Sequence, residues 1–351
     1  MVRFGDGCWL WEQLQETKKP IVLYGMGNGA DKILAVCEEK GIPVAGVFAS
    51  DGFCRGQAYQ GFAVTSYAQA KAAFGDMVVL VCFGTGRKDI LENIERIAAE
   101  QELFVPDVPV YGEGLFDREH WSRHQEEYSQ VFGLLEDDAS RRTLQGLLEY
   151  RKSGRPEYLK NCELPEEEAY ASVLHLGDNE SYLDGGAYTG DTALQFAGRV
   201  QGYEKIIAVE PDARNYAKLV QNTVSLKNIE CLQLCLSSAA GDVPFASRAG
   251  RHASADAASG KTVLADSIDN ILAGSRATFI KLDVEGQEAE AVLGAQKTIT
   301  AHKPKMQIAA YHRTDDLFAI PLLVNKIRPD YRVYIRHNPC IPAWDTYYYF
   351  V

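Results

Sequence analysis

Tyr182-Leu183-Asp184-Gly185-Gly186-Ala187-Tyr188-Thr189-Gly190-Asp191-Thr192 reads as an apolar strand that ends on an acid and runs into a glycine loop and a helix. The next strand, Ile206-Ile207-Ala208-Val209, ends on Glu210. The spacing is Asp184-x-Gly186-x-x-x-Gly190, with the acid ahead of the glycines. A ligand with a cationic amino-acid end and a nucleoside, but no phosphate, suits that order. The Asp184 carboxylate receives an ammonium directly or through water, while Gly186 and Gly190 clear space for the backbone to pass close to the ligand. Glu210 then takes both ribose hydroxyls with its two oxygens. S-Adenosylmethionine has these parts. The structural alternative is that Asp184 caps the following helix.

The same plan occurs once before, with different chemistry. Ile21-Val22-Leu23-Tyr24 enters Gly25-x-Gly27-x-x-Ala30, and Asp51 closes the next strand. Glycines placed directly after a strand let amides approach a pyrophosphate at a helix N-terminus, and a later acid binds ribose, as in dinucleotide sites. A Rossmann-like domain without a nucleotide needs the same tight turn. Gly84-Thr85-Gly86 either lines that crevice or is a plain strand-to-helix turn. Tyr67-Ala68-Gln69-Ala70-Lys71 has the YxxxK form of short-chain dehydrogenases but follows the glycine loop too closely, and chance explains it better.

The chain has 351 residues, enough for two α/β units that each bury a core. Its 36 basic and 48 acidic residues give a net charge of -12, which opposes nucleic-acid binding. Eight scattered cysteines form no CxxC pair and no Cys/His spacing suited to zinc, so reduced thiols in a cytoplasmic protein are expected. Cys231 and Cys235 fall on one face of a single expected strand. Cys8-Trp9-Leu10-Trp11 lacks a basic flank and is no secretion signal. Apolar runs such as Met77 to Phe83 are too short for a bilayer, so no membrane partner is expected.

Strands alternating with helices predict an α/β protein of two Rossmann-like domains. Residues 1–110 form the first, with strands at Pro20 to Tyr24, Pro43 to Ala49 and Met77 to Phe83. Residues 111–175 turn charged and helix-forming and read as a connector that can cap either domain; its acidic run Glu163 to Glu168 reads as a solvated helix face or turn. Residues 176–351 form the second domain, with strands at Ser181 to Asp184, Lys205 to Glu210, Cys231 to Leu236, Thr278 to Asp283 and Met306 to Tyr311. Tyr331 to His337 and Thr346 to Val351 are joined too briefly for a parallel crossover and should pair as an antiparallel hairpin. That succession describes the seven-stranded sheet of class I methyltransferases.

Phe279-Ile280-Lys281-Leu282-Asp283-Val284-Glu285-Gly286-Gln287-Glu288 delivers charge to the carboxyl edge of the sheet, where ligands of open α/β sheets bind. Lys281 and Asp283 share a face and can pair with each other. Asp283 is the first candidate for orienting or deprotonating an acceptor. His312, in Ala309-Ala310-Tyr311-His312-Arg313, is the second, as a base near neutral pH. Ser237, in Leu236-Ser237-Ser238 after the third strand, falls where adenine should lie. Asp266 and Asp269 read better as helix caps. No metal ligands are assigned, because Asp283, Glu285 and His312 can equally form a hydrogen-bonded cluster.

Three ordered strings resemble the FkbM-type methyltransferases. Asp184 to Thr192 looks like that family's first motif, Val209-Glu210-Pro211-Asp212 like its second, and Ile280 to Glu288 like its most distinctive one, where the family usually has His and this chain has Gln287. The likeness runs over roughly Leu176 to Val351. It implies S-adenosylmethionine as cofactor, for which the residues read above are Asp184, Gly186, Gly190, Glu210 and, by position alone, Ser237, and methylation of hydroxyl oxygens on sugars or polyketide-type products. The N-terminal unit is similar to Rossmann-like domains attached to sugar-modifying enzymes, which turns the expected acceptor toward a saccharide or sugar nucleotide.

Two other readings compete. A nucleotide-sugar oxidoreductase or isomerase would work through Gly25 to Ala30, and would need a Tyr/Lys or Cys/His arrangement beside it that the sequence does not offer. A non-catalytic binding protein would hold S-adenosylmethionine without turnover. Asn338-Pro339-Cys340-Ile341 faintly resembles the N-P-P-Y motif of amino-group methylation but follows the wrong strand. Association into a homo-oligomer is left open.

Overall fold

The computed structural model describes residues 4, 8–244 and 262–351. In the first sheet β1 (Ile21–Tyr24), β2 (Val44–Phe48), β3 (Ala58–Tyr59), β4 (Phe62–Thr65), β5 (Val78–Val81) and β6 (Glu102–Phe104) lie in the order β3-β4-β2-β1-β5-β6. All neighbours pair in parallel except β3, which turns back on β4. Every residue of β1 and β5 is buried, the signature of strands covered on both faces. The two-residue β3 and three-residue β6 are too short to show a readable alternation.

The second half contributes β7 (Glu180–Gly185), β8 (Tyr203–Val209), β9 (Ile229–Leu232), β10 (Cys235–Leu236), β11 (Gly241–Pro244), β12 (Thr262–Asp266), β13 (Phe279–Leu282), β14 (Lys305–Ala309), β15 (Val333–His337) and β16 (Thr346–Phe350). Seven of these make one sheet, β15-β16-β14-β13-β7-β8-β9, closed by the antiparallel β15/β16 pair. β10, β12 and β11 form a separate small sheet. The expected strand Cys231 to Leu236 is therefore two strands. The chain leaves the main sheet after Leu232, and Cys231 and Cys235 belong to different sheets.

Helices at Arg118–Leu134 and Asp138–Ser153 fill the connector. Each begins on an aspartate, Asp117 or Asp137, whose carboxylate accepts an amide of the first turn. Leu144, Leu147 and Leu148 of the second helix share one apolar core with Val22 and Val79 of the first sheet and Ile335 and Tyr348 of the second. Buried ions fasten the same seam: Arg151 Nε lies 3.1 Å from Asp107, and its Nη1 donates to the Thr314 carbonyl at 2.8 Å. Arg336 meets Asp137 and Glu168, each at 2.7 Å. The acidic run is solvated only in part: Glu167 is exposed, but Glu168 holds Arg336 and Glu166 pairs with Arg199 at 2.7 Å.

The β15–β16 loop crosses to the first sheet. Thr85 and Ile341 exchange backbone hydrogen bonds of 2.7 and 3.0 Å, and the Trp344 ring stands 2.0 Å from where a Gly84 Cβ would be. Gly84 is a docking surface for that loop. Around the first glycine loop, the Phe83 ring lies 2.5 Å from a Cβ placed on Gly25, and the Tyr59 hydroxyl donates to the Gly27 carbonyl at 3.0 Å. Tyr67 and Lys71 belong to the helix Tyr67–Phe74, opened by a Ser66/Gln69 capping box, and both bind Glu100. Among the described residues no helix is long and apolar enough to cross a membrane.

Candidate active site

Pairing of β7 with β13 sets Asp184 opposite Lys281 and Gly185 opposite Leu282. The two chemically loaded strand ends therefore reach the carboxyl edge together. A cavity opens there, and six of its charged lining residues are acids (Glu166, Asp191, Glu210, Asp283, Glu285 and Asp345) against one base, Lys281. Such a wall favours a cationic ligand.

Glu210, at the end of β8, lines the cavity and is 5% exposed. Its Oε2 accepts the Tyr188 amide at 3.0 Å and its Oε1 the Asp212 amide at 2.9 Å. Burial pushes its pKa up to about 7 despite those amides. Each oxygen keeps a lone pair for a hydroxyl donor. Beside it, Leu234, Cys235 and Leu236 form the apolar part of the wall.

Asp184 lies elsewhere than a ligand-contacting carboxylate would. It is fully buried and behind the cavity wall, with Oδ1 3.5 Å from Lys281 Nζ and Oδ2 accepting from the Thr192 hydroxyl. Lys281 thus pairs across the strands with Asp184, not along its own strand with Asp283. Burial opposes the charge on Lys281, but the Asp184 and Asp283 carboxylates outweigh it and raise its pKa.

The two motif glycines serve different ends. Gly186 lines the cavity at φ +77°, and a Cβ there would sit 1.9 Å from the Asp283 carbonyl oxygen. Gly190 needs its space for packing: at φ +89° its Cβ would meet Thr223 at 2.6 Å and Leu219 at 3.1 Å. Ser237 is displaced from the cavity by the break between β9 and β10. Its amide donates to the Asp266 carbonyl at 3.0 Å, and its own carbonyl packs against Gly294. Asp266 accepts the amide of its neighbour Ser267, but Ser267 is the residue that caps the helix Ile268–Leu272; Asp269, inside that helix, accepts the first-turn amides of Lys297 and Thr298 in the helix Gln296–His302.

Asp283 lines the cavity, and two tyrosines hold it: Tyr311 donates to Oδ1 at 3.0 Å and Tyr347 to Oδ2 at 2.9 Å. Burial alone would raise its pKa, but Lys281, His312 and the two hydroxyls together hold the carboxyl below the usual range. Tyr347 comes from β16, which pairs with β14 so that Tyr347 faces Ala309, two residues before Tyr311. Neither tyrosine was expected at the site, and only the three-dimensional pairing of these strands brings them to Asp283.

His312 does not fit the role of a free base. It is 1% exposed, with Nδ1 2.9 Å from Glu288 and Nε2 3.3 Å from Glu285 and 3.5 Å from Asp283. Burial would lower its pKa, but Glu288 and Glu285 outweigh it and move it well above the ordinary range. His312 is clamped among three carboxylates, and its nearness helps to lower the Asp283 pKa. Glu288 also accepts the Val284 amide at 2.9 Å, which fixes the turn carrying Asp283. Gly286, at φ +90°, leaves room for Tyr111 to pack 3.0 Å from its would-be Cβ.

Residues 184–331 match the family profile of the methyltransferase FkbM domain. Among solved structures the chain is similar to Methyltransferase FkbM from Methylobacillus flagellatus KT, at 24% identity over 97% of this chain and 92% of that one, with a TM-score of 0.74. That likeness shows a shared fold reaching across both sheets and the connector. Precorrin-6y C5,15-methyltransferase from Geobacter metallireducens aligns at 12% identity, 52% of this chain, 84% of that chain and a TM-score of 0.34. Fibrillarin from Aeropyrum pernix, solved with S-adenosyl-L-methionine, aligns at 13% identity, 50% of this chain, 67% of that chain and a TM-score of 0.32. The last two are too distant to carry weight. No curated protein matches the chain at a significant level.

Proposed function

From a chain whose residues 184–331 are a methyltransferase FkbM domain, we propose S-adenosylmethionine-dependent methylation of a hydroxyl oxygen on a saccharide or related small molecule. The observation that carries this reading is the acid-lined cavity with Glu210 and Asp283 on its wall. The donor is a sulfonium with an ammonium at one end, and both cations suit six lining carboxylates. Its ribose diol is assigned to Glu210 and its adenine to Leu234, Cys235 and Leu236. The ammonium falls to Asp191 on the cavity wall, and Asp184 acts through Lys281 and Thr192 as a positioning residue.

In the transfer, a lone pair of the acceptor oxygen attacks the methyl carbon in line with the breaking carbon–sulfur bond, whose electron pair returns to sulfur as a neutral thioether. The acceptor hydroxyl becomes strongly acidic as the new bond forms. Even a carboxylate of low pKa can therefore take its proton at that stage, and Asp283 is the group positioned to do so. Its main contribution is alignment, since Tyr311 and Tyr347 fix both of its oxygens. The acceptor is assigned to the side of the cavity bordered by Asp345 and Tyr347, beside the loop that docks on the first sheet. The first sheet and connector then shape acceptor choice.

Single-turnover transfer from methyl-labelled S-adenosylmethionine to a panel of sugars, sugar nucleotides and polyols tests this. Label should arrive on oxygen of at least one saccharide, and Asp283→Asn should abolish transfer while the cofactor still binds. Label on nitrogen, or cofactor bound without any transfer, would overturn it.

A further inference from the structure

Among residues that do not line the cavity, three metal-ligating side chains converge. His120 and His124 stand four residues apart on the helix Arg118–Leu134 and so share a face. Asp315, just ahead of the helix Asp316–Ile327, meets them from across the seam. One donor atom from each lies within 4.8 Å of the others. The sequence hid this group, because Asp315 comes from nearly two hundred residues further on.

Ordinary partners leave the three groups incompletely used. His120 is 4% exposed, and its Nε2 is held by the Tyr128 hydroxyl at 3.1 Å, which turns Nδ1 toward Asp315 Oδ1 at 3.8 Å. That spacing is too long for a hydrogen bond. His124 has its Nδ1 buried with no hydrogen-bond partner among the described residues, facing Glu127 at 3.5 Å. The Arg151 guanidinium also acts on His120 electrostatically. Arg151 is itself answered by Asp107 at 3.1 Å. The Tyr128 bond on one ring nitrogen, leaving the other as donor, is the way metal-bound histidines are oriented.

We propose that His120, His124 and Asp315 bind one divalent cation of the zinc class, leaving a coordination position open to solvent. Two imidazoles and a carboxylate suit Zn²⁺, Co²⁺ or Ni²⁺ better than Mg²⁺ or Ca²⁺, which prefer all-oxygen shells. The cation would tie the connector helix to Asp315, three residues beyond His312. Asp316, the next residue, already accepts the Arg313 amide at 2.7 Å. The site would therefore clamp the strand end that carries His312 and Tyr311, while its binding is independent of the methyl-transfer reading.

The test uses the full, tag-free chain, stripped with chelator and titrated with Zn²⁺ by calorimetry, with thermal unfolding in parallel. One equivalent should bind, and the unfolding temperature should rise with Zn²⁺ concentration. Replacing Co²⁺ for Zn²⁺ should give the visible bands of a low-coordinate site. Asp315→Asn, on an exposed side chain, and His124→Gln, on a partly buried one, should each weaken binding by about tenfold or more and lose the thermal shift, while unfolding normally without metal. No binding by the wild-type chain, or binding unchanged in both variants, overturns the proposal.

Discussion

The Lys281 ammonium stands 3.5 Å from Asp184 Oδ1 across the β7–β13 pair, with both side chains withdrawn from solvent. One buried charge answers the other, and the Thr192 hydroxyl takes the second Asp184 oxygen. Removing one partner strands the other. Lys281→Met should cost about 3–5 kcal/mol of stability. The double variant Asp184→Asn/Lys281→Met should lose less than the sum of the two single changes, because no unpaired charge remains. Urea unfolding of the three variants measures both quantities, and additive losses would argue against the pair.

Gly186 gives a second expectation. A Cβ there would fall 1.9 Å from a backbone oxygen, that of Asp283, and the residue has φ +77°. Backbone cannot give way as a side-chain tip can. Gly186→Ala should therefore cost about 3 kcal/mol or more and move the Asp283 turn. Gly198, near the end of the helix Asp191–Arg199, has nothing within 4 Å of its would-be Cβ. Gly198→Ala should be neutral or stabilise by up to about 1 kcal/mol. Equal effects in the two variants would contradict the packing described.

Asp184 and Asp283 are legible in the sequence, and their partners are not. The Asp184 to Thr192 and Phe279 to Glu288 strings located the sheet edge and the cavity, because apolar runs ending in glycine and acid are local signals. The partners across strands were not local: Lys281 pairs with Asp184, and Tyr311 and Tyr347 converge on Asp283, through register that no single segment encodes. Ser237 was misplaced for a related reason. The apolar run from Cys231 to Leu236 reads as one strand, yet the chain bends after Leu232 to pair Cys235 with Ala265, so the cavity wall is made one to three residues earlier. His312 is legible as a site residue but its enclosure is not, because Glu285 and Glu288 fold back around it.

Glu210 predicts a pH dependence with a definite sign. Its pKa rises from 4.5 to about 7 in the fold, so between those values the folded chain holds a proton that the unfolded chain has lost. Stability attributable to this group therefore falls as pH rises through that window, by on the order of 3 kcal/mol in total. Ligand binding runs the other way, because ribose hydroxyls donate best to the ionised carboxylate. Affinity for S-adenosylmethionine should rise about tenfold from pH 6 to pH 8, and Glu210→Gln should flatten that slope. A slope unchanged in the variant would assign it to another group.

Binding of S-adenosylmethionine by calorimetry, wild type against Glu210→Ala at pH 8, decides whether the acid-lined cavity is a methyl-donor site. A methyl-donor site built on Glu210 predicts one molecule bound per chain with a dissociation constant on the order of micromolar, and a loss of affinity of about tenfold or more in a variant that unfolds at an unchanged or higher temperature. Equal affinity in the two proteins, or no binding by the wild type, would contradict it.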